Sequence, residues 1–483
     1  MADEPVDLLV VGAGISGISA AYHLMTRCPG HSLAIVEARA QLGGTWDLFR
    51  YPGVRSDSDM HTLGFRFRPW SDPRTIADGA TILNYLRETA REHGIDRKIR
   101  YGQRVLGAKW SSADARWTVE LEHAADGSRS QQRCSFLFIC SGYYDYAAGY
   151  QPQFPGQERF AGQLVHPQHW PADLDHAGKR VVVIGSGATA VTLVPAMAET
   201  AAQVTMLQRS PSWMLALPSV DPAGAWLRRW LPQRPALWLT RWKNVLLALL
   251  LFRLCRRRPQ RMRRFLLRGV RKALGPQADI ATDYTPRYNP WEQRLCLVPD
   301  GDFFEAVRAG RASVVTDQIE TFTETGLQLK SGATLDADII VSATGLQLSV
   351  GQIALEVDGL AVEPSRLVNY KGLMYSGVPN LANTFGYTNA SWTLKADLTA
   401  EYVCRLLLHM RETGARQCLP AAPAPDAPLL PWVDFSSGYF QRAAHRLPRQ
   451  GARKPWKLSQ NYLTDLVTMR FGAVDDGVLK FST

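Results

Sequence analysis

The sequence predicts an α/β protein with two nucleotide-binding units, because the same strand–glycine–helix plan occurs twice in the chain. The first copy is the apolar run 7–11, followed by a glycine-rich turn, a helix near 15–27 and a second strand over 32–37. In the second copy the strand 180–184 precedes another glycine turn and a helix, and the next strand covers 203–207. Short apolar runs of this kind are typical of buried parallel strands. Two such units in one chain indicate a pair of Rossmann-like dinucleotide-binding domains.

The first glycine turn is a candidate pyrophosphate site. Its sequence, Gly12-Ala-Gly14-Ile-Ser-Gly17, follows a predicted strand and opens a predicted helix. Gly12 permits the tight turn, Gly14 lets the backbone approach a pyrophosphate, and Gly17 allows the helix to pack closely. Glu37 ends the next strand, where a carboxylate accepts hydrogen bonds from an unphosphorylated ribose, as in FAD or NAD. The position near the N-terminus favours FAD, and the alternative is a glycine turn that binds no ligand.

The second glycine turn differs at the position that contacts the ribose. Its six residues are Gly185, Ser186, Gly187, Ala188, Thr189 and Ala190. The strand that follows ends in Arg209 and Ser210, so a basic group stands where the first unit has Glu37. An arginine can form a bidentate pair with a 2′-phosphate, while the serine offers a hydroxyl. This contrast indicates NADPH rather than NADH, although arginines near strand ends are also common on protein surfaces.

The composition excludes several classes of protein. Apolar residues make up 46% of the 483 residues and charged residues 20%, which is typical of a globular protein with more than one core. The N-terminus has no basic segment followed by an apolar one, so no secretory signal is expected. Seven scattered cysteines without a CxxC pair suit reduced thiols in a cytoplasmic protein. Neither a metal centre nor a nucleic-acid partner is expected.

The net charge of +11 is a local feature of the chain. Between Asp221 and Asp279 there are fifteen Lys and Arg, four tryptophans and no Asp or Glu, and the rest of the chain has 40 basic against 44 acidic residues. The apolar run 245–252 is far shorter than the roughly 20 residues of a membrane span. One interpretation is a surface that makes peripheral contact with an anionic membrane or caps a substrate channel. The other is a helical insertion whose arginines are solvated.

Three motifs resemble those of the type I Baeyer–Villiger monooxygenases, a group within the flavin-containing monooxygenase superfamily. The segment 160–171 matches the fingerprint FxGxxxHxxxWP at every fixed position. The segment 43–57 is similar to the second signature, which runs from GGxW through YPG to an aspartate. The segment 342–345, Ser-Ala-Thr-Gly, resembles the element that returns the chain to the flavin domain. Within the group, the ethionamide-activating branch is the most similar, on three further segments, 55–60, 286–299 and 475–481.

This resemblance implies a domain order and a reaction. The NADPH-binding domain is inserted in the FAD-binding domain, which gives 1–150 as the first part of the FAD domain. Residues 151–335 are then the NADPH domain, with a basic helical insertion at about 215–285, and 336–483 are the second part of the FAD domain and the C-terminal region. Proline-containing segments at 152–156 and 286–299 are the expected crossings. The implied reaction oxygenates a ketone to an ester with O2, FAD and NADPH, and sulfides are oxidised as a side activity.

The resemblance also implies individual site residues. In this group an arginine beside the flavin stabilises the anionic oxidant and an aspartate holds the arginine, and the motifs map these two residues to Arg294 and Asp57. The chemistry requires such a pair, because a fixed cation stabilises developing negative charge and a carboxylate fixes the guanidinium. Gln293 departs from the group, in which a lysine often precedes the arginine. His166 is expected to be structural. Further flavin contacts are implied for Gly44, Thr45, Trp46, Asp57 and Val105.

Other classes of protein share parts of this pattern. A flavin-containing N- or S-monooxygenase has the same two glycine turns, but its oxidant needs no arginine to keep it anionic. A flavoprotein disulfide reductase is disfavoured, because no redox CxxC or CxxxxC pair follows the first turn. A third alternative is a non-enzymatic protein that binds membrane surfaces and keeps a nucleotide-binding fold without its function, and only the basic, tryptophan-rich insertion supports it.

Overall fold

The computed structural model describes residues 4–349 and 353–483, and its largest element is a mixed sheet of nine strands. The strand Val6–Val11 lies between parallel neighbours on both sides, as the apolar run 7–11 predicts. The nine strands are Val6–Val11, Leu33–Glu37, Ile99–Tyr101, Gln103–Ser111, Arg116–His123, Arg129–Ile139, Ala354–Val357, Leu360–Ala361 and Leu381–Asn383.

Successive side chains of the central strand enter two different cores. Leu8 and Val10 pack in a core with side chains of two long helices, whereas Leu9 and Val11 pack in a second core on the other face. Because side chains alternate across a strand, a strand that is covered on both faces must be apolar throughout. This is why the first unit begins with an uninterrupted apolar run.

A second sheet contains five strands, and all its pairings are parallel. Here too alternate residues enter different cores, with Val181 and Val183 on one face and Val182 and Ile184 on the other. Together the two sheets confirm the predicted α/β class with two Rossmann-like units. The strands of this sheet are Gln163–Val165, Arg180–Ile184, Gln203–Gln208, Ala312–Thr316 and Ile339–Ser342.

The helices include the two that the glycine turns predict, Ile15–Arg27 and Ala188–Met197. The remaining α-helices are Thr45–Leu48, Met60–Leu63, Gly79–Glu92, Pro222–Trp230, Gln233–Arg257, Pro259–Leu274, Ile280–Asp283, Asp302–Arg308, Trp392–Thr413, Gly438–Ala443 and Tyr462–Arg470. Smaller sheets pair Trp213–Leu217 with Leu295–Pro299, Asn369–Tyr370 with Met374–Tyr375, Gln417–Pro420 with Leu479–Ser482 and Leu429–Pro431 with Arg449–Gly451, and they join Ile319–Thr323, Gly326–Leu329 and Thr334–Asp336.

The chain passes between the two sheets through two segments that lie side by side. It leaves the first sheet after Ile139 and enters the second at Gln163, a crossing that contains the predicted segment 152–156. It leaves the second sheet after Ser342. The crossing segments are joined by backbone hydrogen bonds, from Asp145 N–H to Gln347 O at 2.9 Å and from Tyr150 N–H to Gly345 O at 3.0 Å.

One domain boundary and one crossing segment differ from the sequence prediction. The strand Ile339–Ser342 pairs with strands of the second sheet, so this sheet continues past the predicted boundary at 335. The segment 286–299 does not cross between the sheets, because its last residues form the strand Leu295–Pro299, which pairs with Trp213–Leu217. Prolines mark irregular backbone, but they do not reveal which elements the backbone connects.

The basic insertion forms three consecutive helices, Pro222–Trp230, Gln233–Arg257 and Pro259–Leu274. It packs against both units, since Val245 and Leu249 belong to a core of the first sheet, and Val270 and Leu274 to a core of the second. Across residues 4–349 and 353–483, no helix is both long and apolar enough to cross a membrane.

Candidate active site

The two glycine turns open onto one cavity of about 1290 Å³. Its wall includes residues of both turns, of both crossing segments and of the C-terminal region. Ligands of parallel α/β sheets bind beyond the carboxyl ends of the strands, and the strands Val6–Val11 and Arg180–Ile184 both end here. Small-molecule pockets usually have volumes of roughly 300–1,000 Å³, so this cavity has room for more than one ligand.

The first turn has the backbone that a dinucleotide motif requires. Gly12 has a φ of +100°, a conformation that side chains rarely adopt. A Cβ atom on Gly17 would lie 1.9 Å from the carbonyl oxygen of Gly12, so the helix can approach the turn only because this residue is glycine. Gly14 lines the cavity, whereas Gly17 is buried beneath the turn. The contact with pyrophosphate stays a prediction, and Gly14 is the residue placed to make it.

Glu37 fastens the second strand of the first unit to the glycine turn. Its Oε2 accepts the Ala13 N–H at 2.7 Å, and its Oε1 accepts the Arg39 N–H at 2.9 Å. Burial raises the pKa of the Glu37 carboxyl, while the two amide donors act in the opposite direction. Each oxygen keeps a second lone pair, and Glu37 lines the cavity, so it can also accept a hydroxyl donor from a ribose.

The segment that follows packs directly on this turn. A Cβ atom on Gly44 would lie 3.1 Å from the Cα of Gly14, so the two glycines allow the backbones to touch. The Thr45 hydroxyl lies 3.2 Å from the Tyr146 hydroxyl, and burial raises the pKa of Tyr146 to about 12. Trp46, Asp57 and Val105 also line the cavity, so every residue expected to contact the flavin, apart from the buried Gly17, lies in its wall.

The second turn resembles the first, but its middle glycine, Gly187, has no neighbour like the one that Gly44 provides for Gly14. Gly185 has a φ of +133°, and Ala190 is fully buried beneath the turn. A Cβ atom on Gly187 would meet nothing within 4 Å, although Gly187 lines the cavity. The backbone there is therefore open to a ligand, as phosphate binding requires. Ser186, Ala188 and Thr189 also line the cavity.

Arg209 and Ser210 stand beside the second turn. The Ser186 hydroxyl donates to the Ser210 carbonyl at 2.8 Å, which holds the strand end against the turn. Arg209 is exposed and lines the cavity. Within the described part of the chain, no hydrogen bond or ion pair of its guanidinium is found. The guanidinium is thus available to an anion, and its selection of a 2′-phosphate stays a prediction.

Arg294 and Asp57, which come from different units, form an ion pair at the cavity wall. Arg294 Nη2 lies 2.6 Å from Asp57 Oδ1, and Arg294 Nη1 donates to the Thr388 carbonyl at 3.3 Å. The exposed fraction is 30% for the Arg294 side chain and 40% for Asp57, so both remain accessible from the cavity. Burial lowers the pKa of the Arg294 guanidinium, but the Asp57 carboxylate outweighs burial and raises this pKa above its usual value. The Arg294 guanidinium therefore stays charged, and its two contacts fix its orientation.

An aromatic wall, which the sequence did not indicate, lies near this pair. Tyr143 stacks on Trp392 at 5.2 Å, and Trp432 lies 4.2 Å from Phe385 between ring centroids. Burial raises the pKa values of Tyr143 and Tyr144, whose hydroxyls lie 3.0 Å apart. These aromatic residues come from three separate stretches of chain, 143–144, 385–392 and 432–439, which explains why no local pattern revealed them. The residues of the aromatic wall that line the cavity are Tyr143, Tyr144, Phe385, Trp392, Trp432 and Tyr439.

The two remaining candidates have contrasting positions. Gln293 lines the cavity next to Arg294. His166 is buried, its Nδ1 accepts the Gln168 N–H at 3.2 Å, and its Nε2 lies 3.3 Å from the Gly345 carbonyl. It thus ties the segment after the strand Gln163–Val165 to the second crossing segment, a structural position.

The geometry fits two dinucleotides that share one cavity. Each dinucleotide would bind at a glycine turn that precedes a helix. The first turn has an acidic group, Glu37, at the ribose position, and the second has a basic group, Arg209. The two turns, the ion pair and the aromatic wall all line this one cavity.

Comparisons with known proteins agree with this geometry. Residues 68–225 match a family model described as flavin-binding monooxygenase-like, and residues 10–72 match the NAD(P)-binding Rossmann-like domain. The chain is 53% identical over 481 residues to the FAD-containing monooxygenase EthA of Mycolicibacterium smegmatis, covering 99% of this chain and 97% of that protein. It is 50% identical to the putative FAD-containing monooxygenase MymA of Mycobacterium tuberculosis, covering 99% and 98%.

Solved structures share the fold at lower identity. A steroid monooxygenase bound to NADP superimposes with a TM-score of 0.79 at 24% identity and covers 99% of each chain. Cyclohexanone monooxygenase in an open form gives a TM-score of 0.76 at 19% identity over the full length of both chains. The fold is therefore shared along the whole chain, including the C-terminal region that supplies part of the aromatic wall.

Proposed function

Because the chain belongs to the FAD-containing monooxygenases, in the branch that includes EthA and MymA, we propose that it is an NADPH-dependent Baeyer–Villiger monooxygenase. Its reaction converts a ketone, O2, NADPH and a proton to an ester, water and NADP⁺. The observation that carries the proposal is the Arg294–Asp57 ion pair, which lies in the wall of the cavity shared by both glycine turns.

The two turns divide the cofactors between them. The first turn, with Glu37 at the ribose position, holds FAD, and the second turn, with Arg209 and Ser210, holds NADPH. Residues 1–150 and the chain after Ser342 then contribute mainly to the FAD domain, and 151–342 to the NADPH domain. When bound, FAD accepts a hydride from NADPH and activates O2. The protein supplies the anchoring, the orientation and the electrostatic environment for that chemistry.

Arg294 stabilises the negative charge that develops beside the substrate carbonyl. A guanidinium has five N–H donors. Within the described chain the Arg294 guanidinium makes two polar contacts, to Asp57 and to the Thr388 carbonyl. The other donors remain for the reacting oxygen atoms. Because both contacts exist before a ligand arrives, no reorganisation is required during the reaction, which is the condition for strong electrostatic catalysis.

The aromatic wall binds the organic substrate. Its rings offer a large apolar surface, and the Tyr143 and Tyr144 hydroxyls and the Trp392 N–H already have partners within the protein, which suits a hydrophobic ketone or sulfide. A substrate bound on this wall would displace water from the neighbourhood of Arg294, and this would strengthen the attraction between its charge and the developing anion. The specific ketone is set by the shape of this wall.

Product analysis with purified protein tests the proposal directly. We expect a yellow protein that consumes O2 with NADPH and converts hydrophobic ketones to esters in amounts that match the NADPH oxidised. The alternative is a flavin-containing N- or S-monooxygenase, which shares both turns. Oxidation of amines and sulfides without any ester from a panel of cyclic and open-chain ketones would favour that alternative.

A further inference from the structure

The helical insertion presents an apolar face to solvent. Leu246, Leu250 and Leu254 follow each other at intervals of one helical turn on Gln233–Arg257, so they lie on one side of the helix together with Leu247. More than half of the side chain is exposed for Leu246, Leu247 and Leu250. The docking face, as we define it, consists of these four leucines, and the insertion also exposes four aromatic residues, Trp226, Trp230, Trp238 and Phe265.

The other side of the same helix is fixed to the protein body. Arg241 Nη1 donates to the carbonyls of His61 at 2.9 Å and Gly64 at 2.7 Å. Asn244 donates to the Asp59 carboxylate, and Val245 and Leu249 are buried in a core of the first sheet. The helix is therefore held in place, and its leucines cannot turn inward without breaking these contacts. Exposed apolar surface of this extent usually marks an interaction site.

The cations of the insertion indicate what this face binds. The insertion has fifteen Lys and Arg between Asp221 and Asp279 and no acidic residue between them. In the described part of the chain only Lys243 and Arg256 of these cations form ion pairs with carboxylates. Arginines such as Arg261 and Arg268 are exposed and keep their charge unpaired. A second copy of this chain would bring the same positive charge to the contact, which disfavours self-association.

We propose that the docking face binds an anionic lipid surface. The helix Gln233–Arg257 would lie in the plane of the surface, with leucines and tryptophans in the headgroup region and the arginines beside anionic headgroups. Tryptophan favours this depth because its ring is apolar and its N–H is polar. None of the residues of the docking face lines the cavity, so this inference is independent of the proposed function.

Vesicle binding by the full-length protein tests the inference. Phosphatidylcholine vesicles with and without phosphatidylglycerol are compared at low and at high salt, in flotation assays that report the lipid-bound fraction. We expect binding only to the phosphatidylglycerol vesicles and a strong decrease at high salt, because salt screens exposed charges.

Two double variants separate the two contributions. Arg261→Gln with Arg268→Gln should weaken binding about 10-fold or more, since each basic residue near an anionic surface contributes a factor of roughly five. Leu246→Glu with Leu250→Glu should weaken it at least as much, because both apolar contacts are lost. The matched control is Leu360→Glu with Lys98→Gln, which changes one exposed leucine and one exposed cation elsewhere and should bind as the parent does.

Several results would overturn the inference. The first is a parent protein that does not bind phosphatidylglycerol vesicles at low salt. The second is a leucine double variant that binds as well as the parent does. Concentration-dependent dimers that form without lipid and disappear in the leucine variant would assign the face to a second copy instead. NADPH oxidation by all variants, measured in parallel, shows that each of them is folded.

Discussion

Replacement of Arg294 by alanine is the most direct perturbation of the proposed chemistry. The change removes the cation at the cavity wall and leaves the Asp57 carboxylate without its partner at 2.6 Å. Neither glycine turn includes this residue, so cofactor binding should persist. Reduction by NADPH transfers a hydride and creates no oxygen anion, so it should persist as well.

The size of the effect follows from the geometry of the pair. Asp57 and the Thr388 carbonyl hold the guanidinium in one orientation, so its whole contribution is available to the developing anion. Loss of one such preorganised donor costs about 10²–10³ in rate. Ester formation by Arg294→Ala should therefore decrease by about this factor. Arg294→Lys should recover part of it, because lysine keeps the charge but loses the planar fork.

Stopped assays that follow NADPH, O2, hydrogen peroxide and ester together distinguish the possible outcomes. The expected result is continued NADPH oxidation in which nearly all the O2 consumed appears as hydrogen peroxide. Gln293→Ala is the matched control, because it removes a neighbouring uncharged side chain at the same wall and should keep ester formation coupled to NADPH oxidation. If Arg294→Ala made ester at nearly the parent rate, another residue would have to stabilise the anion.

Two further predictions concern the glycine turns and the NADPH site. Gly14→Val should fold, because a Cβ atom there has an ordinary contact of 3.5 Å with Gly44, but it should lose its yellow colour, because Gly14 lines the cavity where the pyrophosphate is predicted to bind. Gly17→Val should instead fail to fold, since its Cβ atom would lie 1.9 Å from Gly12 O. Absorbance and circular dichroism measure both, and a yellow Gly14→Val protein would contradict the assignment. Arg209→Ala should reduce kcat/KM for NADPH roughly 10- to 100-fold, the value of one charged hydrogen bond, and change NADH little; equal losses with both cofactors would indicate a folding defect.

The local features of this fold could be predicted from the sequence because they depend on neighbours in the chain. The uninterrupted apolar runs in 7–11 and 180–184 reflect burial on both faces of the strands, and the observed strands begin and end within one residue of these limits. The positive φ angles of Gly12 and Gly185 could also be predicted locally, since only glycine adopts such turns without strain. Glu37 and Arg209 were found from their distance to these turns.

Tertiary structure alone shows which side chains meet at the centre of the cavity. Composition and spacing do not distinguish Arg294 from a surface arginine; only the family resemblance singled it out together with Asp57, and the structure shows that these residues of different units form an ion pair. The aromatic wall consists of residues from separate stretches of chain, so no periodicity or spacing in the sequence predicts it. The insertion shows the same division, because the sequence determined its charge but only packing decided which leucines face solvent. Composition and short-range pattern are properties of the chain, whereas the neighbours of a side chain exist only once distant segments are brought together.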